Sequence, residues 1–246
     1  MQTGADIVRL FRHGAHSDCR MLPHGAIALS GAPAADLNMV FLTRGASAEE
    51  CEQALDAVAS KEVDTVLIIE EGAEDLRAWA AAKALTEVGQ MPMMEREADD
   101  VRPITKLNVH IATPEEVGIG SRLAASAFAL DKAACDIALA PGAFEIEGND
   151  LWLAEDESGP VGCGIFVHSG DHVGIYTMST PPEQQRRGIG RAILETAMAH
   201  YQDHGAERFT LGATEKGFPL YELVGFEVVT RPHVYVIGAS TQFPAT

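Results

Sequence analysis

The chain has few basic residues, few cysteines and no long apolar run. Its 246 residues include 18 lysines and arginines against 36 aspartates and glutamates, which gives a formal net charge of −18. A surface of that sign repels phosphate backbones, so the composition argues against non-specific binding to DNA or RNA. The same excess is compatible with a cationic partner such as an amine, although acidic surfaces also serve solubility alone.

The cysteines are scattered and show no C-x-x-C spacing. They are Cys19, Cys51, Cys135 and Cys163. This usage predicts a reducing compartment and no structural zinc. No run of about 18 apolar residues occurs, and the first twelve residues lack the apolar core of a signal peptide, so we expect a cytoplasmic protein without a membrane span.

Chain length favours two modest domains over one large one. The stretch from Glu95 to Asp100 is polar, and Arg102-Pro103 interrupts any regular element. We therefore predict an N-terminal α/β domain over residues 1–102 and a second domain over residues 103–246.

The most informative stretch is Gln185-Arg186-Arg187-Gly188-Ile189-Gly190. It lies between a predicted strand, His172 to Ser179, and a predicted amphipathic helix, Ile189 to Tyr201. Such a turn presents free backbone N–H groups and the positive end of a helix dipole, and its glycines admit a ligand close to the backbone. Together with Arg191, its arginines predict a diphosphate site. The pattern is neither a Walker A loop nor a Rossmann G-x-G-x-x-G.

A second motif follows at a suitable distance, Leu220-Tyr221-Glu222-Leu223-Val224-Gly225-Phe226. The two motifs together resemble the GNAT superfamily of N-acetyltransferases, in which a [QR]-x-x-G-x-[GA] turn binds the pyrophosphate of acetyl-CoA. The resemblance covers roughly Val173 to Val229. The alternative is an ordinary strand–turn–helix with a glycine at the N-terminus of the helix.

The predicted elements after residue 106 follow the GNAT order. Leu107 to Ala112 is a strand, and Thr113-Pro114 begins the first of two helices, Val117 to Leu130 and Lys132 to Leu139. Three strands, the glycine turn, a long helix, a strand, a short helix and a last pair of strands up to Ile237 come next. The predicted fold is therefore α/β with a mixed sheet: a GNAT-like acyl-CoA fold in the C-terminal half, preceded by a smaller α/β domain.

The N-terminal half also alternates strands and helices. We predict strands at Leu37–Thr43, Asp64–Glu70 and Met91–Glu95, a helix from Ser47 to about Ser60, and a helix from Ala73 to Val88 stopped by Gly89. This half resembles the degenerate N-terminal half of tandem GNAT proteins; the alternative is an unrelated α/β appendage. It contains no glycine–arginine turn, so we expect no cofactor site there.

One N-terminal motif, Arg12-His13-Gly14, resembles the R-H-G of histidine phosphatases. The arginine expected two residues past the glycine is replaced by His16, and Val8 to Arg12 is better interpreted as part of a short helix. The spacing of His13, His16 and Cys19 would allow a metal site, but a solvated cluster is favoured and we expect no metal.

The GNAT resemblance implies an acyltransferase that moves an acetyl group from acetyl-CoA to a primary amine by direct attack. It also implies site residues. The backbone of Met178, Ser179 and Thr180 would hold the thioester and the pantetheine arm. Gln185, Arg186, Arg187, Gly188, Ile189, Gly190 and Arg191 would hold the diphosphate. Tyr221 would be the general acid for the departing thiolate, unless it only anchors the short helix.

The general base and the acceptor stay open. Asp171, His172, Glu183 and Glu215 are near enough in sequence to be considered as the base, and Thr214 stands where the family has an asparagine. The acceptor is a small-molecule or peptide amine, and the oligomeric state is undetermined. Two other functions remain: a non-catalytic acyl-CoA-binding sensor or regulatory module, and a transferase of longer acyl or aminoacyl groups.

Overall fold

A computed structural model describes residues 2–99, 103 and 105–238 of the chain. The chain forms two compact units: the first comprises Met1–Pro92 with Thr230–Thr246, and the second comprises Met93–Val229. This division differs from the predicted boundary between residues 102 and 103, and Arg102 itself lies outside the described residues. The difference arises because one strand on each side of the predicted boundary joins the sheet of the other unit.

The elements of both units are numbered here in chain order. The strands are β1 Asp18–Leu22, β2 Gly25–Leu29, β3 Asn38–Leu42, β4 Thr65–Ile69, β5 Thr86–Gln90, β6 Met93–Glu97, β7 Asn108–Ile111, β8 Asn149–Asp156, β9 Gly159–Ser169, β10 His172–Ser179, β11 Arg208–Gly212, β12 Glu227–Thr230 and β13 His233–Ile237. The α-helices are α1 Gln2–Phe11, α2 Ala48–Lys61, α3 Glu74–Ala82, α4 Val117–Phe128, α5 Lys132–Ala138, α6 Ile189–Asp203 and α7 Phe218–Leu223.

The second unit is built on a mixed sheet in the order β12-β6-β11-β10-β9-β8-β7. Helix α6 connects β10 to β11, which run parallel. As its spacing predicted, α6 buries Ile193, Leu194, Ala197 and Met198 completely in the core of this unit. The mixed α/β fold class and the order of elements from β7 to β12 are therefore confirmed.

The strand that leads into the glycine turn separates from its parallel neighbour. The pairing of β10 with β11 ends at Ile175 and Leu211, whereas β10 continues to Ser179. Over the same residues the register of β10 against β9 shifts between Tyr176 and Ser179, and Thr177 adopts a φ of +51°. The last residues of β10 thus extend past β11 along a bulged backbone.

The first unit has a sheet in the order β1-β2-β3-β4-β13-β5. The sequence prediction missed the β1–β2 hairpin, and the predicted helix over Ala73–Val88 is wrong in its second half. Helix α3 ends at Ala82, Ala84 adopts a left-handed φ of +56°, and Thr86–Gln90 forms β5. A residue in the left-handed region ends a helix, and β-branched Thr86 and Val88 favour the strand that follows.

The two units repeat one topology. In each, a parallel pair joined by a helix is followed by an antiparallel strand from a distant part of the sequence: β13 beside β4 in the first unit, and β6 beside β11 in the second. The strand expected to close the C-terminal sheet, His233–Ile237, therefore completes the first unit instead. The two sheets fit the predicted tandem form, with one strand of each predicted half exchanged into the sheet of the other.

The exchanged strands are core elements of the units they join. Met94 of β6 is 1% exposed and belongs to the core of the second unit, whereas Tyr235 and Ile237 of β13 are buried in the core of the first. The sequence of a short alternating strand predicts which side chains face the core. It does not predict which strand it pairs with, so the sheet it joins could not be predicted.

Replacing Met94 by alanine should lower the free energy of unfolding by about 2–5 kcal/mol, because it empties a filled position in the core. Chemical denaturation of the full chain measures the effect. Met21→Ala is the matched control, since Met21 lies on β1 with 44% exposure and its loss should change stability by at most about 0.5 kcal/mol. Equal effects for the two variants would contradict a structural role for β6 in the core.

Candidate functional site

A cavity of about 810 Å³ lies within the second unit, next to the end of β10. Four segments contribute to its lining: the end of α4, the end of β10, the glycine turn with the start of α6, and the segment from Thr214 through α7. The lining includes most of the residues that the sequence assigned to the cofactor, namely Met178, Thr180, Gln185, Arg186, Gly188, Ile189, Gly190 and Arg191, together with Tyr221. Distant parts of the sequence therefore meet at one concave surface.

The N-terminus of α6 opens into this cavity without a cap. Gly188 is the N-cap residue with a φ of +77°, no side chain caps the helix, and its first turn contains no acidic residue. The N–H groups of Ile189, Gly190 and Arg191 have no intrahelical acceptor by the geometry of a helix start. A Cβ built on Gly188 would meet no atom within 4 Å, so the space over the turn is open for a ligand.

The charges that line the cavity are all positive. Arg186, Arg191 and Lys216 line it, and no aspartate or glutamate does, although the chain contains 36 acids. Arg191 is paired with Glu195, with 2.7 Å between Nε and Oε1. Within the described part of the chain, neither Arg186 nor Lys216 has a hydrogen-bond or ion-pair partner. Free cations and unbonded amides on one surface suit an anion.

Lys216 is a candidate anion-binding residue that was not predicted from the sequence. It is an isolated lysine in the connection between β11 and α7, and it lines the cavity beside Thr214. The only sequence signal is its place five residues ahead of Tyr221 in the second motif. Thr214 also lines the cavity, and its Oγ1 accepts a hydrogen bond from the N–H of Gly217 at 3.2 Å.

Two of the predicted cofactor residues do not line the cavity. Ser179 is 1% exposed, and its hydroxyl donates to the carbonyl of Thr177 at 2.9 Å. The Arg187 guanidinium lies 2.6 Å from the carboxylate of Asp156, and hydrogen bonds from Ser158 and Arg187 lower the pKa of Asp156 to about 2. Arg187 is thus bound to the end of β8, whereas Arg186 faces the ligand space. The sequence could not separate these neighbours because a turn sends successive side chains in different directions.

Tyr221 stands at the cavity in a nearly buried position, with 7% exposure. Its ring packs edge-on against Phe226 at 6.1 Å between centroids, and a Cβ on Gly217 would come within 2.8 Å of it. Burial raises the pKa of Tyr221 to about 12. The hydroxyl has no hydrogen-bond partner among the described residues, so the cavity holds a protonated phenol that is available as a donor at neutral pH.

None of the four residues considered as the base lines the cavity. Asp171 and His172 lie at the opposite end of β10 from the glycine turn, where the Asp171 carbonyl accepts from the N–H groups at the start of β11. His172 is buried, which lowers its pKa, and its Nε2 is 2.7 Å from Oγ1 of Thr210. Glu183 and Glu215 flank cavity residues without lining it. Nearness in sequence was therefore a poor guide to nearness in space.

The equivalent position in the first unit, between β3 and α2, is filled by the unit's own carboxylates. The Glu50 carboxylate accepts hydrogen bonds from the backbone N–H groups of Ser47 at 2.9 Å and His24 at 2.7 Å, which lower its pKa to about 2. Glu70 accepts from the N–H of Arg44 at 2.7 Å. The N–H groups of Arg44, Ser47 and Glu50 therefore already bond to side chains.

The remaining motif and metal candidates find no support. Arg12-His13-Gly14 follows helix α1 instead of a core strand, so the phosphatase-like interpretation is wrong. Over residues 2–99, 103 and 105–238, no group of three or more His, Cys, Asp or Glu side chains could hold a metal ion. None of the helices in the described part of the chain has the length and apolar character that a membrane span requires.

Comparison with known sequences finds a family model that matches part of the second unit. Residues 147–228 match the model of the Acetyltransferase (GNAT) domain. A mycothiol acetyltransferase of Propionibacterium freudenreichii subsp. shermanii is 31% identical over 88 residues, which cover 32% of this chain and 28% of that protein. The match therefore spans less than a third of the length of this curated relative.

Solved structures resemble nearly the whole chain. A GCN5-related N-acetyltransferase from Kribbella flavida aligns with a TM-score of 0.69 at 16% identity, over 99% of this chain and 98% of its own. One from Sphaerobacter thermophilus aligns with a TM-score of 0.60 at 13% identity, over 91% and 78%. At such identities the likeness shows a shared fold.

The segment matched by the family model begins just before β8 and ends in β12, so it contains both sequence motifs and most of the cavity lining. Its fold, its motifs and its relatives agree. Residues 147–228 of the second unit therefore match a GNAT acetyltransferase domain, which is of the acyltransferase class, and the two sheets of the chain fit a tandem form of that fold.

Proposed function

We propose that the second unit binds acetyl-CoA and transfers its acetyl group to a primary amine by direct attack. The observation that carries the proposal is the uncapped N-terminus of α6, which opens into a cavity with three cations and no carboxylate. That surface matches the charge of a diphosphate. The acetyltransferase activity named for the Propionibacterium relative supports the same reaction class.

The proposed binding mode assigns a part of the cofactor to each segment. The amides of Ile189, Gly190 and Arg191 and the side chain of Arg186 would hold the diphosphate. The end of β10 and the residue after it, Met178 to Thr180, extend past β11 and would offer backbone N–H groups to the pantetheine arm and to the thioester oxygen. Donors aimed at that oxygen stabilise the negative charge that develops when an amine attacks.

Tyr221 is the proposed general acid for the thiolate that leaves. Its phenol lines the cavity and stays protonated, because burial raises its pKa to about 12. Burial would also raise the pKa of a thiol bound there. The pKa values of the phenol and the thiol would then stay comparable, so the two groups could share the proton.

A sensor that binds acyl-CoA without catalysis is the second candidate, since none of the four bases considered lies at the cavity. An assay of acetyl transfer across a panel of primary amines separates the two functions. Release of free CoA that depends on the amine would support the transferase, and tight binding with unchanged acetyl-CoA would support the sensor.

Gly188→Glu should weaken acetyl-CoA binding by at least about tenfold, because it places a carboxylate where the diphosphate would lie. Isothermal titration calorimetry measures the affinity. Gly170→Glu is the matched control, since Gly170 also has a positive φ and open space around it but lies in the β9–β10 turn. Affinity like that of the wild type in Gly188→Glu would overturn the assignment of the turn.

Tyr221→Phe should reduce kcat by roughly 10²–10⁴ while the dissociation constant for acetyl-CoA stays within about twofold. The substitution removes the hydroxyl and keeps the ring that packs on Phe226. Steady-state kinetics and calorimetry on the same preparation give both values. An unchanged kcat would make Tyr221 a packing residue only.

Titration of the full chain should give one acetyl-CoA per chain. In the first unit, the carboxylates of Glu50 and Glu70 already accept from the N–H groups of Ser47 and Arg44 between β3 and α2, and they would repel a phosphate. Calorimetric stoichiometry measures the number of sites. A value of two would mean that the first unit is a working cofactor domain.

A further inference from the structure

Strand β6 brings a carboxylate, Glu95, to the sheet of the second unit on the face away from α6. The neighbouring residue Met94 is buried in the core that contains the side chains of α6, and successive residues of a strand point to opposite faces. Phe209 and Leu211 of β11 belong to the same core, so Thr210 between them shares the face of Glu95. Glu95 therefore lies on the side of the sheet that the proposed diphosphate site leaves free.

The strand register places Glu95 close to the point where β10 and β11 separate. Glu95 is paired with Thr210, and Thr210 is paired with Gly174, one residue before the last pair at Ile175. With strands about 4.8 Å apart, Glu95 begins about 7 Å across the sheet from the gap between β11 and β10. On this face Thr210 stands between Glu95 and the gap, with its Oγ1 2.7 Å from Nε2 of His172, and Gly174 adds no side chain. A glutamate can cover such a distance directly or through one water.

The Glu95 carboxylate is also free to accept a proton. It is half-buried, and no hydrogen bond or ion pair engages it within the described part of the chain. Its neighbour on the same face, Glu97, is exposed and is paired in register with Arg208. The other ionisable groups on the strands around it are His172 and Tyr176 on β10 and Glu227 on β12.

We propose that Glu95 is the general base of the acetyl transfer, an inference that rests on the proposed function. Glu95 takes one proton from the acceptor ammonium, directly or through a water, and passes it to solvent. The neutral amine forms the C–N bond to the thioester carbon, and the C–S bond breaks. The thiolate takes a proton from Tyr221, which is restored by the second proton lost from the attacking nitrogen. The first half of the chain thus supplies the base on its exchanged strand.

The test compares Glu95→Gln with Glu97→Gln in the full-length protein. For an acceptor that is an ammonium ion at the assay pH, Glu95→Gln should lower kcat/KM by roughly 10²–10⁴, and Glu97→Gln should change it by less than about threefold. The dissociation constant for acetyl-CoA should stay within about twofold in both. With hydroxylamine, which is already neutral at the assay pH, the loss in Glu95→Gln should shrink to less than about tenfold, and Glu95→Asp should recover part of the activity with the ammonium acceptor.

Each contrary result has a distinct meaning. Equal losses for the ammonium acceptor and for hydroxylamine would show that Glu95 is structural and would overturn the inference, as would full activity of Glu95→Gln. Loss of acetyl-CoA binding in Glu95→Gln would overturn it as well. Transfer by the wild type to no amine at all would overturn the proposed function and this inference together, and that outcome is recognised without any variant.

Discussion

The early end of the parallel pairing between β10 and β11 is the constraint on which the site depends. Helix α6 must leave β10 and return to β11, so its N-terminus stands where β10 has already separated from its neighbour. The separation leaves strand residues without a ladder partner on one side and an uncapped helix end beside them. Backbone donors that the fold itself leaves unbonded are the natural place for an anionic ligand.

The first unit shows what the same topology becomes when its donors are used internally. Ser47 and Glu50 form a capping box at the start of α2, and the Glu50 carboxylate also holds the N–H of His24. At α6 the corresponding positions are Gly188 and Arg191, with no acid in the first turn. One topology can therefore give a closed, carboxylate-filled end or an open, cationic one, and a few side chains at the helix start decide which.

The local elements of the second unit were predictable because each carries its own physical signal. The Pro-Pro break, the glycines of the turn and the apolar spacing of α6 gave β10, the turn and the helix within a residue or two. The elements of the N-terminal half were harder to predict. Strands β1 and β2 lack strong alternation of apolar and polar residues, and Thr86–Gln90 continues an apparent helical pattern. Arg186 lines the cavity whereas Arg187 binds Asp156, and this difference in side-chain direction is decided only by the tertiary structure.

By itself, the sequence determined the family motifs, the fold class, the position of the glycine turn and the candidate Tyr221, because these depend on neighbours along the chain. Only the tertiary structure decided that β6 and β13 complete each other's expected sheets, that Lys216 joins the cavity and that Glu95 lies near the separated strands. Pairing partners and sheet faces depend on burial between distant segments, and short alternating strands fit more than one edge until the cores form around them.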